Sequence, residues 1–310
     1  MALMVMALWG GAGAVFGETS NISGYYHVSV PAGNSAWTCG LVCEEIYQGA
    51  AVTVTADLDG KALVSFSAPG WTGGEFTLHY LEPLSGASAG LAVDVLSNTA
   101  DTIKLDVTPA EAGLTNGMIF LLRKHATLAG LLPDGGGFVP FNDSIGLIGS
   151  SGSQQIYFWN DTSGNWIDST NADASNVVIR PGQGFVIQMG AGKSVTLGSG
   201  EVAYVKTTPT RIRATNGIPN LIGALNPLEA GTTLAGLGVT ASLAAFNDSL
   251  VTLGAGSLAQ TGTYLSDGSN LVDSSNLANS NSVALPAGTS VVINVDAAKN
   301  INLEPVSVDP

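Results

Sequence analysis

At 310 residues the chain has room for two or three domains that each bury a core. Charged residues make up only 11% of it, so Ser, Thr, Asn and Gly must wet the surface. Ten basic against 24 acidic residues leave a net charge of -14, which repels phosphate backbones and anionic membrane faces and excludes nucleic acid as a partner.

Ala2 to Phe16 is an almost unbroken apolar run that closes on small residues, with Val15 and Gly17 at the −3 and −1 places of a signal-peptidase site. No Lys or Arg precedes the run, yet a secretory signal over residues 1–17 is the reading it supports. About 15 apolar residues are too few for a membrane span, which takes about 20, so no span is expected once the signal is removed. The mature chain is then extracellular or on the cell surface. Cys39 and Cys43, the only cysteines, would lie about 13 Å apart on an extended strand, beyond the ~7 Å that a disulfide tolerates. A turn at Gly40 would bring them within reach, and in an oxidising compartment a Cys39–Cys43 bridge and two separate thiols both stay open. His27, His79 and His125 are scattered, without the spacing of metal ligands, so no metal is predicted.

From Gly24 onward, short β-type runs alternate with turn residues. Tyr26 to Val30 stops at Pro31-Ala32-Gly33, and Ala51 to Thr55 and Ala62 to Phe66 flank Asp59-Gly60, a hairpin signal. Phe76 to Leu81, Leu91 to Leu96 and Thr102 to Val107 continue the series, and only Pro109 to Gly113 has helical leanings, for one turn.

Phe141-Asn142-Asp143-Ser144, Asn165-Trp166-Ile167-Asp168-Ser169 and Pro181 return 105 residues later as Phe246-Asn247-Asp248-Ser249, Asn270-Leu271-Val272-Asp273-Ser274 and Pro286. A constant offset without a gap predicts a duplicated supersecondary unit. Asp267-Gly268 as a two-residue turn would set Tyr264 against Leu271, and the same register sets Trp159 against Trp166. Upstream, Thr127-Leu128-Ala129-Gly130-Leu131 is echoed by Thr233-Leu234-Ala235-Gly236-Leu237 at an offset of 106. The strand-like Val202 to Val205 leads into the second copy; its counterpart for the first, Tyr26 to Val30, stands far from Thr127 in the chain. The expected fold is therefore all-β: two tandem related β-sandwich (jelly-roll-like) units with a small β-barrel inserted in the first. Residues 18–45 and 126–200 form the first unit, 46–125 the barrel and 201–310 the second unit.

Gly24-Tyr25-Tyr26-His27-Val28-Ser29-Val30-Pro31-Ala32-Gly33, Ser97 to Leu105, the hairpin Thr263 to Asn270 and the turn Arg180-Pro181-Gly182-Gln183-Gly184-Phe185 resemble an uncharacterised family of secreted β-rich proteins from verrucomicrobial and related bacteria. The resemblance covers most of the mature chain. It implies export and β architecture and no reaction, and Cys39 and Cys43 replace apolar residues of that family.

No nucleophile and base are recognisably paired in the sequence. Gly190-Ala191-Gly192-Lys193-Ser194 mimics a phosphate loop, but the glycine required five positions before the Gly-Lys pair is Ile187, so a polar hairpin turn is the better reading and no cofactor is expected. With three scattered histidines and no recognisable nucleophile–base pair, neither a hydrolase nor any other enzyme is expected. Asp161, Ser163, Asn165 and Asp168 alternate as calcium donors would, but Asx turn-capping explains them equally and the second copy has Ser266 in place of Asp161. Trp159 and Trp166 are candidates for a sugar-stacking platform, although Tyr264 and Leu271 in the matching places favour core packing. Asn21, Asn142, Asn160 and Asn247 match the glycosylation pattern, as chance allows in so Asn/Ser-rich a chain.

Two functions follow as expectations. One is a secreted or cell-surface structural protein that self-assembles into a homo-oligomer or polymer, as a filament, surface layer or adhesin, because β edges with few Lys or Arg guards pair readily. The other is an extracellular carbohydrate-binding module that holds polysaccharide.

Overall fold

The computed structural model describes residues 26–149, 151–198, 202–225 and 231–305. The expected signal segment lies outside them. Runs rich in Val, Ile, Thr and aromatic residues, stopped by Gly, Pro and Asx turns, become strands throughout. The chain opens with β1 (Tyr26–Val30), β2 (Gly33–Thr38) and β3 (Val42–Cys43). It passes into β4 (Glu45–Ala50), β5 (Thr53–Ala56), β6 (Ala62–Ser65), β7 (His79–Pro83), β8 (Val93–Asn98), β9 (Thr102–Leu105) and β10 (Ile119–Lys124). It returns through β11 (Ala126–Thr127), helix α1 (Leu128–Leu131), β12 (Ser144–Ile148), β13 (Gln154–Asn160), β14 (Asn165–Asp168), β15 (Val178–Ile179), β16 (Gly184–Met189) and β17 (Lys193–Leu197). After β18 (Val202–Tyr204) come β19 (Thr210–Ala214), β20 (Asn220–Gly223), β21 (Thr232–Thr233), β22 (Ser249–Leu253), β23 (Gln260–Ser266), β24 (Leu271–Asp273), β25 (Ala284–Leu285), β26 (Ser290–Asn294) and β27 (Lys299–Leu303).

The chain is all-β and sandwich-like. A five-stranded sheet ordered β14-β13-β12-β16-β2 recurs as β24-β23-β22-β26-β20, and the ladders β1-β17 and β11-β15 recur as β19-β27 and β21-β25. In each set the five-stranded sheet and the short ladders enclose one apolar core, around Trp166, Phe185 and Ile187 in the first and Leu250, Leu271 and Ile293 in the second. Both cross to the next strand through a short turn capped alike: Thr127 Oγ1 accepts from Gly130 N and Thr233 Oγ1 from Gly236 N, each at 3.2 Å. Between β3 and β11 the chain forms a seven-stranded sheet whose end strands, β4 and β5, are consecutive in sequence. Ala51 N to Met118 O and Val52 N to Ser65 O, both 2.8 Å, close that sheet on itself around Phe66, Phe76 and Phe120.

The repeat is not gapless. The offset of 105 that joins Ser144 to Ser249 becomes 107 at Phe158 and Leu265, which each pair with those serines, and is 105 again at Trp166 and Leu271. The turn in the second copy centres on Gly268-Ser269, not on Asp267-Gly268. Gly268 takes φ 96, a conformation other residues resist, while Asp267 N donates to Asn270 O and Asp267 Oδ1 accepts from Ser269 N and Asn270 N. Ser266 consequently faces Leu271 and Tyr264 faces Asp273, two residues from the expected register. Trp159 faces Trp166 as expected, so its counterpart is Ser266, and Tyr264 corresponds instead to Tyr157, which also faces an aspartate, Asp168. Further on the offset is 106: Gly182 and Gly288, at φ 73 and 71, share a place, which makes Pro286 the counterpart of Arg180 and not of Pro181. Val202 to Tyr204 does not open the second unit either. It pairs with β3, while β19 holds the position of β1.

The two five-stranded sheets meet through Ala36, Val186 and Leu221 about an approximate dyad. Thr38 N donates to Gly288 O at 2.7 Å and Gly223 N to Gly182 O at 3.1 Å, the same bond made from each side. The far edges are covered by the chain's own loops, since Ala174 N donates to Trp166 O and Ser280 N to Leu271 O, both at 2.8 Å. Edge guarding here comes from folded-back Asx loops, not from charge.

Candidate binding cleft

The recurring Phe-Asn-Asp-Ser is a staple. Asp143 is buried and its carboxylate accepts from Val139 N at 2.7 Å, Gly190 N at 2.9 Å and Lys193 Nζ. Asp248 repeats this with Ala244 N at 2.6 Å, Asp296 N at 2.8 Å and Lys299 Nζ at 2.6 Å. Burial disfavours both charges, but the lysine and backbone donors outweigh it and hold both carboxyls below the usual carboxylate range. The phosphate-loop lookalike Gly190 to Ser194 is thus the hairpin between β16 and β17 that supplies two of these donors.

The aromatic candidates do not form an exposed pair. Trp166 is fully buried, and its Nε1 donates to Leu132 O at 3.2 Å; the half-buried Trp159 covers Gly135, whose φ of 75 and lack of a Cβ let the turn lie on the indole. Their rings meet edge-on at 5.9 Å as part of the core. Cys39 and Cys43 are two buried thiols in the first core, without the bridge held open above. Of the calcium candidates, Asp168 Oδ1 accepts from Thr170 N, Thr170 Oγ1 and Ala172 N, which makes it a turn cap that holds its own carboxyl low.

A feature the motifs did not point to lies where barrel, first unit and second unit meet, a cleft of about 830 Å³. One wall is the outer face of β19 and β27. Residues alternate along a strand, so Ile212 turns to the core while Arg211 and Arg213 turn outward beside their cross-strand neighbours Asn302 and Asn300. Arg211 Nε donates to Asn302 Oδ1 at 2.8 Å, and among the described residues neither arginine has a carboxylate within ion-pairing distance. The facing wall comes from the barrel, with exposed Asp106 and Glu111; Glu111 is held low by Thr108 N and Thr108 Oγ1, with a smaller contribution from Arg213 across the gap. The floor belongs to the first unit. There Arg180 pairs with Asp94, whose Oδ1 also lies 3.2 Å from His125 Nε2. Burial raises the Asp94 carboxyl, but these two partners prevail and hold it at about 2.

The barrel is seated against this wall by a backbone contact. Arg211 N donates to Gly90 O at 2.9 Å, and a Cβ at Gly90, φ 83, would stand 2.4 Å from Pro209 O, so only glycine allows the approach. The same face in the first unit carries neither arginine nor carboxylate at these places. His27 and Ser29 hold the places of Arg211 and Arg213, Thr196 and Ser194 those of Asn302 and Asn300, and His27 Nδ1 lies 2.8 Å from Thr196 Oγ1. Three of the four arginines in this acidic chain line the one cleft. Reading of the sequence passed over Thr210 to Ala214; the Arg-x-Arg in so arginine-poor a chain is the signal that was there. Comparison of the chain with protein-family models, curated proteins and solved structures gives no match. Among the described residues no helix is long and apolar enough to cross a membrane.

Proposed function

We propose that the protein works outside the cell or at its surface and holds a segment of hydroxyl-rich polysaccharide in the three-walled cleft. The observation that carries this is the convergence of planar polar groups from two facing bodies: the guanidiniums of Arg211 and Arg213 and the Asn300 amide on the second unit, and the carboxylates of Asp106 and Glu111 on the barrel. Vicinal sugar hydroxyls are donor and acceptor at once, and paired guanidinium, amide and carboxylate groups answer both. The volume suits a few sugar rings. Glycan-array screening followed by titration calorimetry tests it: one glycan class retained by the wild type and weakened about tenfold by Arg213→Ser, the loss of one charge-assisted hydrogen bond, supports the reading. No retention of any glycan removes it.

Self-association is the second reading, on one specific observation. Phe141 and Phe246 occupy the same place in the two copies, both at φ 57 and both about half exposed, at 56% and 55%. A left-handed Phe is costly by about 1 kcal/mol, yet both copies hold one with its ring in solvent. Concentration-dependent oligomers in light scattering that vanish in Phe141→Ser/Phe246→Ser support assembly through these rings, and a monomer at every concentration excludes it.

A further inference from the structure

The barrel meets the segment that leads into the second unit through a buried polar cluster with an unusual composition. Tyr80 and Glu82 lie two apart on β7, on the face opposite Leu81, which fills the barrel core. Glu82 Oε1 pairs with Lys206 Nζ, and both side chains are only 1% exposed. Thr208 Oγ1 lies between them, 2.8 Å from Nζ and 3.4 Å from Oε1. Among the described residues Glu82 Oε2 and Tyr80 Oη, both buried, have no hydrogen-bond partner.

Such a pair is poorly supported as ions. Taking two charges out of water costs several kcal/mol each unless the remaining lone pairs and protons are satisfied, and here half of the carboxylate is not. Burial lowers the Lys206 pKa, which favours the neutral amine, the nucleophilic form. In water the ionised amine and carboxylate resist condensation to an amide; in a site closed to water that advantage of the ions is lost. Two reactants held in contact also gain the effective concentration of an intramolecular reaction.

We propose that Lys206 and Glu82 join in an intramolecular amide (isopeptide) bond. A proton passes from the ammonium to the carboxylate, giving amine and carboxylic acid. Nζ then attacks Cδ, the N–C bond forms and the Cδ–Oε1 bond breaks. Oε1 leaves as water, with the acid's own proton and one amine proton carried by the Thr208 hydroxyl, which both donates to Oε1 and accepts from Nζ. Amine and acid give amide and one water, and no oxidant or activated group is needed. Thr208 is the proton-carrying residue. The bond would tie the barrel to the chain just before β19, and so fix two walls of the cleft without depending on what the cleft binds.

Intact-mass spectrometry of the purified wild-type chain, set against its measured N-terminus, decides the matter. The expected mass is one water below that of the sequence, and proteolysis should yield a branched peptide joining the Glu82 and Lys206 segments. Lys206→Arg keeps the charge and cannot form the amide, so its mass should exceed the wild type by the substitution plus one water. Thr208→Val should retain part of the chain at the unreacted mass. A wild-type mass equal to the sequence, with the two peptides recovered separately, overturns the proposal whether or not either variant folds.

Discussion

The first and second units share strand order, staple and capped turn, and they diverge where they touch the inserted barrel. In the first, the β1–β17 face carries His27, Ser29, Ser194 and Thr196 and is exposed or half-exposed; in the second, the same face carries Arg211, Arg213, Asn300 and Asn302 under the barrel wall. One fold is thus kept by its interior while its outward residues differ, because substitutions on an outward strand face cost little stability.

The largest effects expected of any change to this pair of units are on the staple and on the first core. Asp143→Ala and Asp248→Ala each leave two backbone N–H groups without their acceptor and remove one partner of a lysine that keeps another, Gly137 O for Lys193 and Asp296 for Lys299, and each should cost about 3 kcal/mol in denaturant titration. A cost in one copy alone would break the equivalence. Importing the second copy's residue into the first core, Trp166→Leu opens a cavity and loses the bond to Leu132 O, for about 3 kcal/mol by the same measurement. Acid probes the staples and Asp94 together. Their folded carboxyls titrate below the unfolded value of about 3.9, so their stabilisation is complete above that pH and is lost as pH falls toward about 2, where Asp94 itself protonates. Thermal melts should drop over that interval and stay flat from pH 5 to 7 if these groups dominate.

Arg213→Ser gives the second unit the first unit's residue. It should weaken glycan binding about tenfold while shifting the melt by less than about 0.5 kcal/mol, whereas Ser29→Arg should add no binding, having no barrel wall opposite it. The smallest effect is expected at the left-handed phenylalanines. Phe141→Asn suits φ 57 and should stabilise by a few tenths of a kcal/mol, read as a raised denaturation midpoint, while reducing any oligomer.

The alternation of apolar residues, the Asx and glycine turns and the doubled Phe-Asn-Asp-Ser were enough to draw an all-strand chain with two like halves, since each depends on neighbours close in sequence. Register at Tyr264 was beyond that reach: Asp267-Gly268 and Gly268-Ser269 are both good turns locally, and Ser266 packing beside Leu271 chose between them. The aromatic pair was legible as a contact and not as a buried one, because burial of Trp166 depends on Phe138 and Leu132 from a distant turn.

By itself the sequence determined strand content and the duplication, both consequences of local propensity and periodic pattern. Only the tertiary structure decided that Arg211 and Arg213 face Glu111 across a gap, and that Lys206 is sealed against Glu82. Residues separated by a hundred positions meet only when the barrel docks, and no local pattern encodes where a docked surface will fall.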